Sequence, residues 1–202
     1  MQPFRQLNGV AVALRRDNVD TDQVIPARYL KVPRAEGLGD TLFRDLRYDA
    51  KGNLRPDFPL NDPTRQGASI LIGRKNFGVG SSREAAVYAL VDHGIRCVVA
   101  TSFGDIFAGN AVNNGLVAAI VSEEDIEKLL SAVEQTGRAE ADLEAQTIKA
   151  GNYVVPFTID AARKTRLLNG WDELDLTAQH KDGIAAFAAK DRTERPWAVP
   201  RI

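Results

Sequence analysis

Short apolar runs alternate with helical segments through the middle of the chain, and this alternation constrains the fold most. Strands are predicted at residues 68–73, 95–100 and 116–121, and helices at residues 82–93, 105–112 and 122–135. Each apolar run is too short for a buried helix but long enough for a buried strand. Strands separated by helices need crossover connections, so the pattern predicts a parallel sheet in an α/β fold.

The flanks of this core carry further predicted elements. Residues 4–14 alternate apolar and polar side chains as a strand does. Towards the C-terminus we predict a β-hairpin from residues 143–149 and 153–159, then helices at residues 160–169 and 180–190. Residues 31–65 are rich in glycine, proline and charge, which indicates a long loop. No shift of composition marks a boundary, so we expect a single domain over residues 1–202.

The composition excludes several kinds of site and partner. A single cysteine, Cys97, permits neither an internal disulfide nor an all-cysteine iron–sulfur site. Two histidines are too few for a histidine-rich metal site. A net charge of -1 offers no attraction to nucleic acid or to an anionic membrane, and no stretch approaches the roughly 20 apolar residues of a membrane span. We therefore expect a cytoplasmic protein without a metal site, nucleic-acid partner or membrane partner.

A glycine-containing segment, residues 76–86, lies between a predicted strand and a predicted helix. Its glycines permit a tight turn, and the start of a helix attracts anions through unpaired N–H groups. Arg83 adds a guanidinium that can bind a carboxylate with two hydrogen bonds. A phosphate would also suit such a turn. Alternatively, Ser81 and Glu84 form a capping box that only closes the start of the helix.

Two further polar segments have less specific local patterns. Residues 17–22 contain three carboxylates, but the glycine and glutamate of a calcium loop are missing, which favours a solvated acidic turn. Residues 102–116 follow a predicted strand and contain Asn110, Asn113 and Asn114. These amides suit either a hydrogen-bonded ligand or the turns and caps that asparagine often forms.

The three segments together, in this order and spacing, resemble one family. The matching residues are 20–30 (DTDQVIPARYL), 76–84 (NFGVGSSRE) and 102–107 (SFGDIF), with further likeness at residues 45–49, 54–58 and 184–187. They resemble the swivel domain of the aconitase superfamily, and within it the small subunits of bacterial 3-isopropylmalate dehydratase. The resemblance covers nearly the whole chain.

The resemblance implies a fold, a partner and a reaction. The fold would be a layered β/β/α swivel domain with a parallel core and a β-hairpin near the C-terminal third. The partner would be a large subunit, in a heterodimer or heterotetramer, that holds a [4Fe–4S] cluster on three cysteines, so this chain would hold no cofactor and be inactive alone. The reaction would interconvert 2-isopropylmalate and 3-isopropylmalate by dehydration and rehydration, in leucine biosynthesis.

The resemblance also implies site residues. Ser81 would be the catalytic base, Arg83 would support it and bind a substrate carboxylate, and Asp22 would be an active-site aspartate. Five further residues are implied in substrate binding: Gly80, Ser82, Arg28, Tyr29 and Lys31. The last three belong to the region that meets the variable side group of the 2-hydroxy diacid.

Two positions depart from the family pattern. Many relatives have cysteine where Val79 stands and histidine where Ala85 stands. Ser81 and Arg83 remain, so the reaction type follows, but a paralogue acting on another 2-hydroxy diacid, of the citramalate or dimethylmalate type, stays open. A third hypothesis is a stand-alone anion-binding module that uses the helix start near Ser81.

Overall fold

The structure is a computed structural model that describes residues 1–198. These form two compact units, one of residues Met1–Gly170 and one from Trp171 onward. The strands of the first unit are β1 Gln6–Ala13, β2 Ile70–Ile72, β3 Cys97–Ala100, β4 Val117–Ile120, β5 Arg138–Asp142, β6 Thr147–Ala150 and β7 Tyr153–Pro156. Its helices are α1 Thr21–Val24, α2 Arg44–Arg47, α3 Ala85–His93, α4 Asp105–Asn113, α5 Glu123–Thr136 and α6 Ala161–Asn169.

The second unit contains α7 Glu173–Ala178, α8 Lys181–Glu194 and a 3-10 turn, Pro196–Ala198. None of the helices within residues 1–198 combines the length and apolar character needed to cross a membrane. The single domain expected over residues 1–202 stays a prediction.

The strands form one curled sheet in the order β4-β3-β2-β1-β5-β6-β7. Strands β1 to β4 are parallel to one another, whereas the pairs β1–β5, β5–β6 and β6–β7 are antiparallel. An isolated bridge joins Ile120, at the end of β4, to Thr158, just after β7, so the two edges of the sheet meet. The predicted parallel core is confirmed, and so is the hairpin, which is formed by β6 and β7.

The sheet separates two hydrophobic clusters, which explains why the apolar runs are continuous. Ile70 and Ile72 belong to the cluster that contains α5, whereas Leu71 belongs to the cluster that contains α3 and α4. Successive side chains of a strand point to opposite faces, so a strand covered on both faces needs apolar residues at every position. All three residues are 0% exposed.

Local capping signals place two helices where the sequence predicts them. Ser122 accepts a hydrogen bond from the Asp125 N–H at 3.1 Å at the start of α5. Asp160 caps α6 in the same way, and Gly170 ends it in the left-handed conformation that glycine adopts readily. These signals act within a few residues, which is why sequence alone predicts them.

Sequence reasoning missed the helices α1 and α7 and the strand β5. Strand β5 buries Ala139 and Ala141 but is otherwise charged, a composition with little β propensity. Helix α7 follows a capping box formed by Asp172 and Asp175. Residues 31–65 contain α2 and short 3-10 turns, at Arg34–Glu36, Gly39–Thr41, Pro59–Asn61 and Pro63–Arg65.

Candidate active site

Three loops meet at the edge of the sheet that is formed by the carboxyl ends of the parallel strands. The loop after β1 leads to α1, the loop after β2 covers residues 73–84 and leads to α3, and the loop after β3 covers residues 101–104 and leads to α4. Adjacent parallel strands place the loops that follow them side by side, and ligands of α/β sheets bind at this edge. The three segments singled out in the sequence therefore lie together.

Backbone hydrogen bonds hold the loop of residues 73–84 between its two neighbours. The Gly78 N–H donates to the carbonyl of Val19 at 2.7 Å, and the Phe77 N–H donates to the carbonyl of Ser102 at 3.0 Å. The loop is thus anchored on both sides before it reaches the serines.

Close packing explains the glycine at position 78. Gly78 has φ +73°, and a Cβ there would lie 2.2 Å from Cγ of Phe107. The Phe107 ring stacks on Phe103 with centroids 6.1 Å apart, and Phe77 meets both rings edge-on. The three rings occupy the space beside the loop, so its backbone passes where only glycine fits.

Thr21 holds the backbone of Ser81. The Thr21 side chain is buried, and its hydroxyl accepts the Ser81 N–H at 3.1 Å and donates to the Ser81 carbonyl at 3.3 Å. Gly80, with φ +97°, makes the turn that brings the chain to this position. The Ser81 residue stays exposed, and its hydroxyl has no hydrogen-bond partner within residues 1–198.

Asp22 and Arg83 form an ion pair beside this contact. A terminal nitrogen of the Arg83 guanidinium donates to Oδ1 of Asp22, with 26% of the Arg83 side chain and 57% of the Asp22 side chain exposed. Exposed pairs of this kind add at most about 1 kcal/mol to stability, so the pair matters more for the orientation of Arg83. The structure brings together Ser81, Arg83 and Asp22, and their catalytic roles stay a prediction.

Helix α3 begins later than predicted, at Ala85 rather than at Ser82. No capping box forms, because Glu84 makes no side-chain cap and its carboxylate instead accepts from Nδ2 of Asn114 at 2.8 Å. The capping alternative for Ser81 is therefore wrong. The N–H groups of Ser82 and Arg83 precede the helix and have no acceptor among the described residues.

The asparagines of α4 and its end support neighbouring segments. Nδ2 of Asn110 donates to the carbonyl of Ser82 at 3.4 Å, and Asn114 holds Glu84. Asn113 accepts from the Arg166 guanidinium at 2.8 Å. These are long-range contacts between segments of the chain, so both interpretations of the asparagines, ligand binding and turn or cap formation, stay predictions.

Arg28 and Tyr29 make no direct polar contact with Ser81 or Ser82 within the described residues. They belong to a 3-10 turn, Ala27–Tyr29, and line a cavity of about 460 Å³ together with Tyr48. Arg28 donates to both carboxylate oxygens of Asp45, and its guanidinium keeps the pKa of that carboxyl below the usual range. The Arg28 guanidinium also lies 4.7 Å from the centre of the Tyr29 ring.

Lys31, the last of the predicted substrate-binding residues, is exposed. Within residues 1–198, no hydrogen bond, ion pair or ring contact links Arg28, Tyr29 or Lys31 to Ser81. Arg28 and Tyr29 thus line a cavity together, and Lys31 is not among the residues that line it.

Residues 1–198 of this chain do not fit an iron–sulfur cluster. Within the described part of the chain, no three histidine, cysteine, aspartate or glutamate side chains are grouped so that they could hold a metal ion. Cys97 is 0% exposed in β3, and burial raises the pKa of its thiol to about 12. Iron–sulfur clusters are bound by several thiolates, and Cys97 is buried and protonated at neutral pH.

Known proteins resemble this chain over nearly its full length. The sequence model of the aconitase C-terminal domain family matches residues 1–124. A 3-isopropylmalate dehydratase small subunit from Rhodospirillum centenum is 48% identical over 202 residues, covering 98% of this chain and 100% of the relative. The protein of the same name from Methylobacterium radiotolerans is 48% identical over 201 residues, with 98% and 100% covered.

A solved structure supports the same relationship. The crystal structure of 3-isopropylmalate dehydratase from Methanocaldococcus jannaschii superposes with a TM-score of 0.66 at 25% identity. The superposition covers 90% of this chain and 98% of the other. Fold and sequence therefore point to the same group of proteins.

Proposed function

This chain belongs to the aconitase family, among the small subunits of 3-isopropylmalate dehydratase, and we propose on that premise that Ser81, Arg83 and Asp22 are its catalytic residues. As such a subunit it is part of a hydro-lyase of leucine biosynthesis, which interconverts 2-isopropylmalate and 3-isopropylmalate. The observation that carries the assignment of residues is the meeting of an exposed serine with an Arg83–Asp22 ion pair at the ligand-binding edge of the sheet.

The reaction needs a strong base. The hydrogen removed lies on a carbon next to a carboxylate, whose negative charge makes that hydrogen weakly acidic. A serine alkoxide is basic enough, provided that positive charge and N–H dipoles stabilise it. Arg83 lies two positions from Ser81, and the N–H groups of Ser82 and Arg83 are unpaired within the described residues. We propose that these groups supply the two kinds of stabilisation.

Arg83 can bind the substrate while Asp22 orients it. A guanidinium has five N–H donors in a planar fork, and the bond to Asp22 uses a terminal nitrogen. The remaining donors can take a substrate carboxylate in the two-bond geometry that arginine favours. Asp22 thereby holds the fork in one orientation before the substrate arrives.

The remaining predicted residues fall into two groups, those next to Ser81 in the chain and those of residues 28–31. Ser82 is exposed beside Ser81, and Gly80 has no side chain to keep a substrate from the backbone, so we propose both in binding of the reacting end of the diacid. For Arg28, Tyr29 and Lys31 we propose a role near its variable side group. Arg28 is already paired with Asp45, so it would act with that carboxylate rather than as a free cation.

A large subunit completes the site in this proposal. The relatives' name, small subunit, implies such a partner. Ser81 is exposed, and an alkoxide needs a site from which water is excluded, so another surface has to cover it. We propose that the large subunit does so, in a heterodimer or heterotetramer. It would hold the [4Fe–4S] cluster on three of its cysteines, and that cluster would act as Lewis acid on the departing hydroxyl.

The side group of the substrate is tested by comparing diacids in the assembled enzyme. We expect kcat/KM for 3-isopropylmalate, followed anaerobically through the unsaturated intermediate, to exceed that for citramalate by about 100-fold, because a pocket shaped for an isopropyl group loses contacts with a methyl group. Val79 and Ala85 depart from the family pattern, so dimethylmalate is assayed alongside. A preference for citramalate or dimethylmalate would contradict the isopropylmalate assignment and indicate a paralogue.

A further inference from the structure

We infer that Thr21 is a positioning residue, whose buried hydroxyl fixes the backbone of Ser81 for catalysis. This inference rests on the proposed role of Ser81 as the base. Thr21 touches no reacting atom in this account, and it acts through the residue that does.

The contact satisfies both backbone polar groups of Ser81 with one side chain. Thr21 is 1% exposed and, with Thr41, is one of the two buried polar residues within residues 1–198. Its oxygen accepts the Ser81 N–H at 3.1 Å and donates to the Ser81 carbonyl at 3.3 Å, across 60 positions of sequence. A buried hydroxyl without partners is unfavourable, so this pairing fixes Thr21 and Ser81 relative to each other.

Backbone bonds anchor the loop as far as Val79, whose carbonyl accepts the Thr21 N–H at 2.9 Å. Beyond Val79, the Thr21 hydroxyl is the group that holds Ser81 itself within the described residues. Gly80 precedes it with φ +97°, and α3 begins only at Ala85. Other side chains contact the residues that follow: Asp22 pairs with Arg83 and Asn110 with Ser82 in exposed bonds, and Asn114 holds Glu84 in a part-buried one. The Thr21 bonds are part-buried, and they are made to Ser81 directly, so they determine the placement of the serine.

The same contact determines which N–H groups can serve a negatively charged oxygen. Because Thr21 accepts the Ser81 N–H, that donor is already occupied. The donors that remain are the N–H groups of Ser82 and Arg83, which have no acceptor in the part of the chain that is described. Thr21 thus fixes the backbone position of Ser81 and leaves the N–H groups of the next two residues available to bind a negatively charged oxygen.

Residues 20–22 of the acidic segment make specific contacts, so the segment is more than a solvated acidic turn. Asp20 caps α1 by accepting the Gln23 N–H at 2.8 Å, and Asp22 pairs with Arg83. Thr21, between them, points into the protein and secures Ser81. Each of the three consecutive residues thus makes a different contact: with the start of α1, with Ser81 and with Arg83.

The test uses Thr21→Val, which keeps the shape of the side chain and removes its hydroxyl, in the complex with the large subunit. We expect kcat for 3-isopropylmalate to fall by about 100-fold, the loss that a displacement of about 1 Å can cause, with KM changed less than about threefold. Thr21→Ser restores the hydroxyl and should recover kcat to within about threefold of the wild type. Thr41→Val is the matched control, since it removes the buried hydroxyl that donates to the Leu38 carbonyl.

The possible outcomes separate this inference from the function it rests on. Wild-type kcat in Thr21→Val, or an equal loss of kcat in Thr41→Val, would overturn it. A second readout needs no turnover: the Ser81 amide should exchange its hydrogen slowly in the wild-type chain and rapidly in Thr21→Val. Rapid exchange in the wild type would overturn the inference even if Thr21→Val failed to assemble. Absence of turnover by the wild-type complex would instead contradict the proposed function.

Discussion

Replacing Ser81 with alanine should lower kcat of the assembled enzyme by about 10⁴-fold, the upper range for loss of a positioned base. The substitution removes only Oγ, which has no hydrogen-bond partner within residues 1–198, while the backbone contacts to Thr21 persist. Exposed substitutions of this kind change the free energy of unfolding by less than about 0.5 kcal/mol. The loss should therefore appear in turnover and in neither stability nor assembly.

The neighbouring serine supplies the matched control. Ser82 is exposed like Ser81, and its proposed role is binding. Ser82→Ala should raise KM by about tenfold, as expected for one lost hydrogen bond, and lower kcat far less than Ser81→Ala does. Steady-state kinetics with size-exclusion chromatography of the complex measures both effects. Wild-type kcat in Ser81→Ala would refute the assignment of the base.

Replacing Gly78 with alanine should destabilise the isolated chain by about 3 kcal/mol or more, from a strained backbone together with an overpacked neighbour. The new Cβ would lie 2.2 Å from Cγ of Phe107, and φ is +73°. Phe107 packs against Phe77 and Phe103, so it cannot move without disturbing both rings. Denaturant unfolding followed by circular dichroism gives the change in free energy.

Gly67→Ala separates the two causes of that loss. Gly67 has φ +72°, nearly the same as Gly78, but a Cβ there would meet nothing within 4 Å. It should therefore show the backbone cost alone, about 1 kcal/mol. An equal loss in both variants would show that contact with Phe107 has no effect, and would contradict the packing explanation for the glycine loop.

The elements that sequence predicted well are those with local causes. Residues 68–73 and 95–100 are apolar at nearly every position because both faces of β2 and β3 are covered. The caps Ser122 and Asp160 act on N–H groups two or three residues away. Each of these signals is complete within a short window of sequence.

The features that sequence reasoning misplaced have distant causes. Helix α3 starts at Ala85 because Ser81 is tied to Thr21 and Glu84 to Asn114, contacts that span 60 and 30 positions. No pattern around residue 82 reveals them. Strand β5 was not predicted because its small and charged residues have little β propensity of their own. Pairing with the distant strand β1 stabilises it.

In the candidate site, too, some features could be predicted from the sequence and others depend on distant contacts. The family resemblance singled out Ser81, Arg83 and Asp22, and the structure joins the last two in an ion pair. The role that we propose for Thr21 could not be predicted, since a threonine between two aspartates carries no local signal of burial. No sequence pattern paired Arg28 with Asp45, whereas the fold joins them in an ion pair.

The most direct test of the account is a mixing experiment, because its central claim is that Ser81 of this chain acts in a site completed by another subunit. This chain, the large subunit and their mixture are assayed anaerobically with 3-isopropylmalate. We expect the unsaturated intermediate to form only in the mixture, with the rate saturating at one small subunit per large subunit. Turnover by this chain alone, or an equal rate from the large subunit without it, would contradict the account.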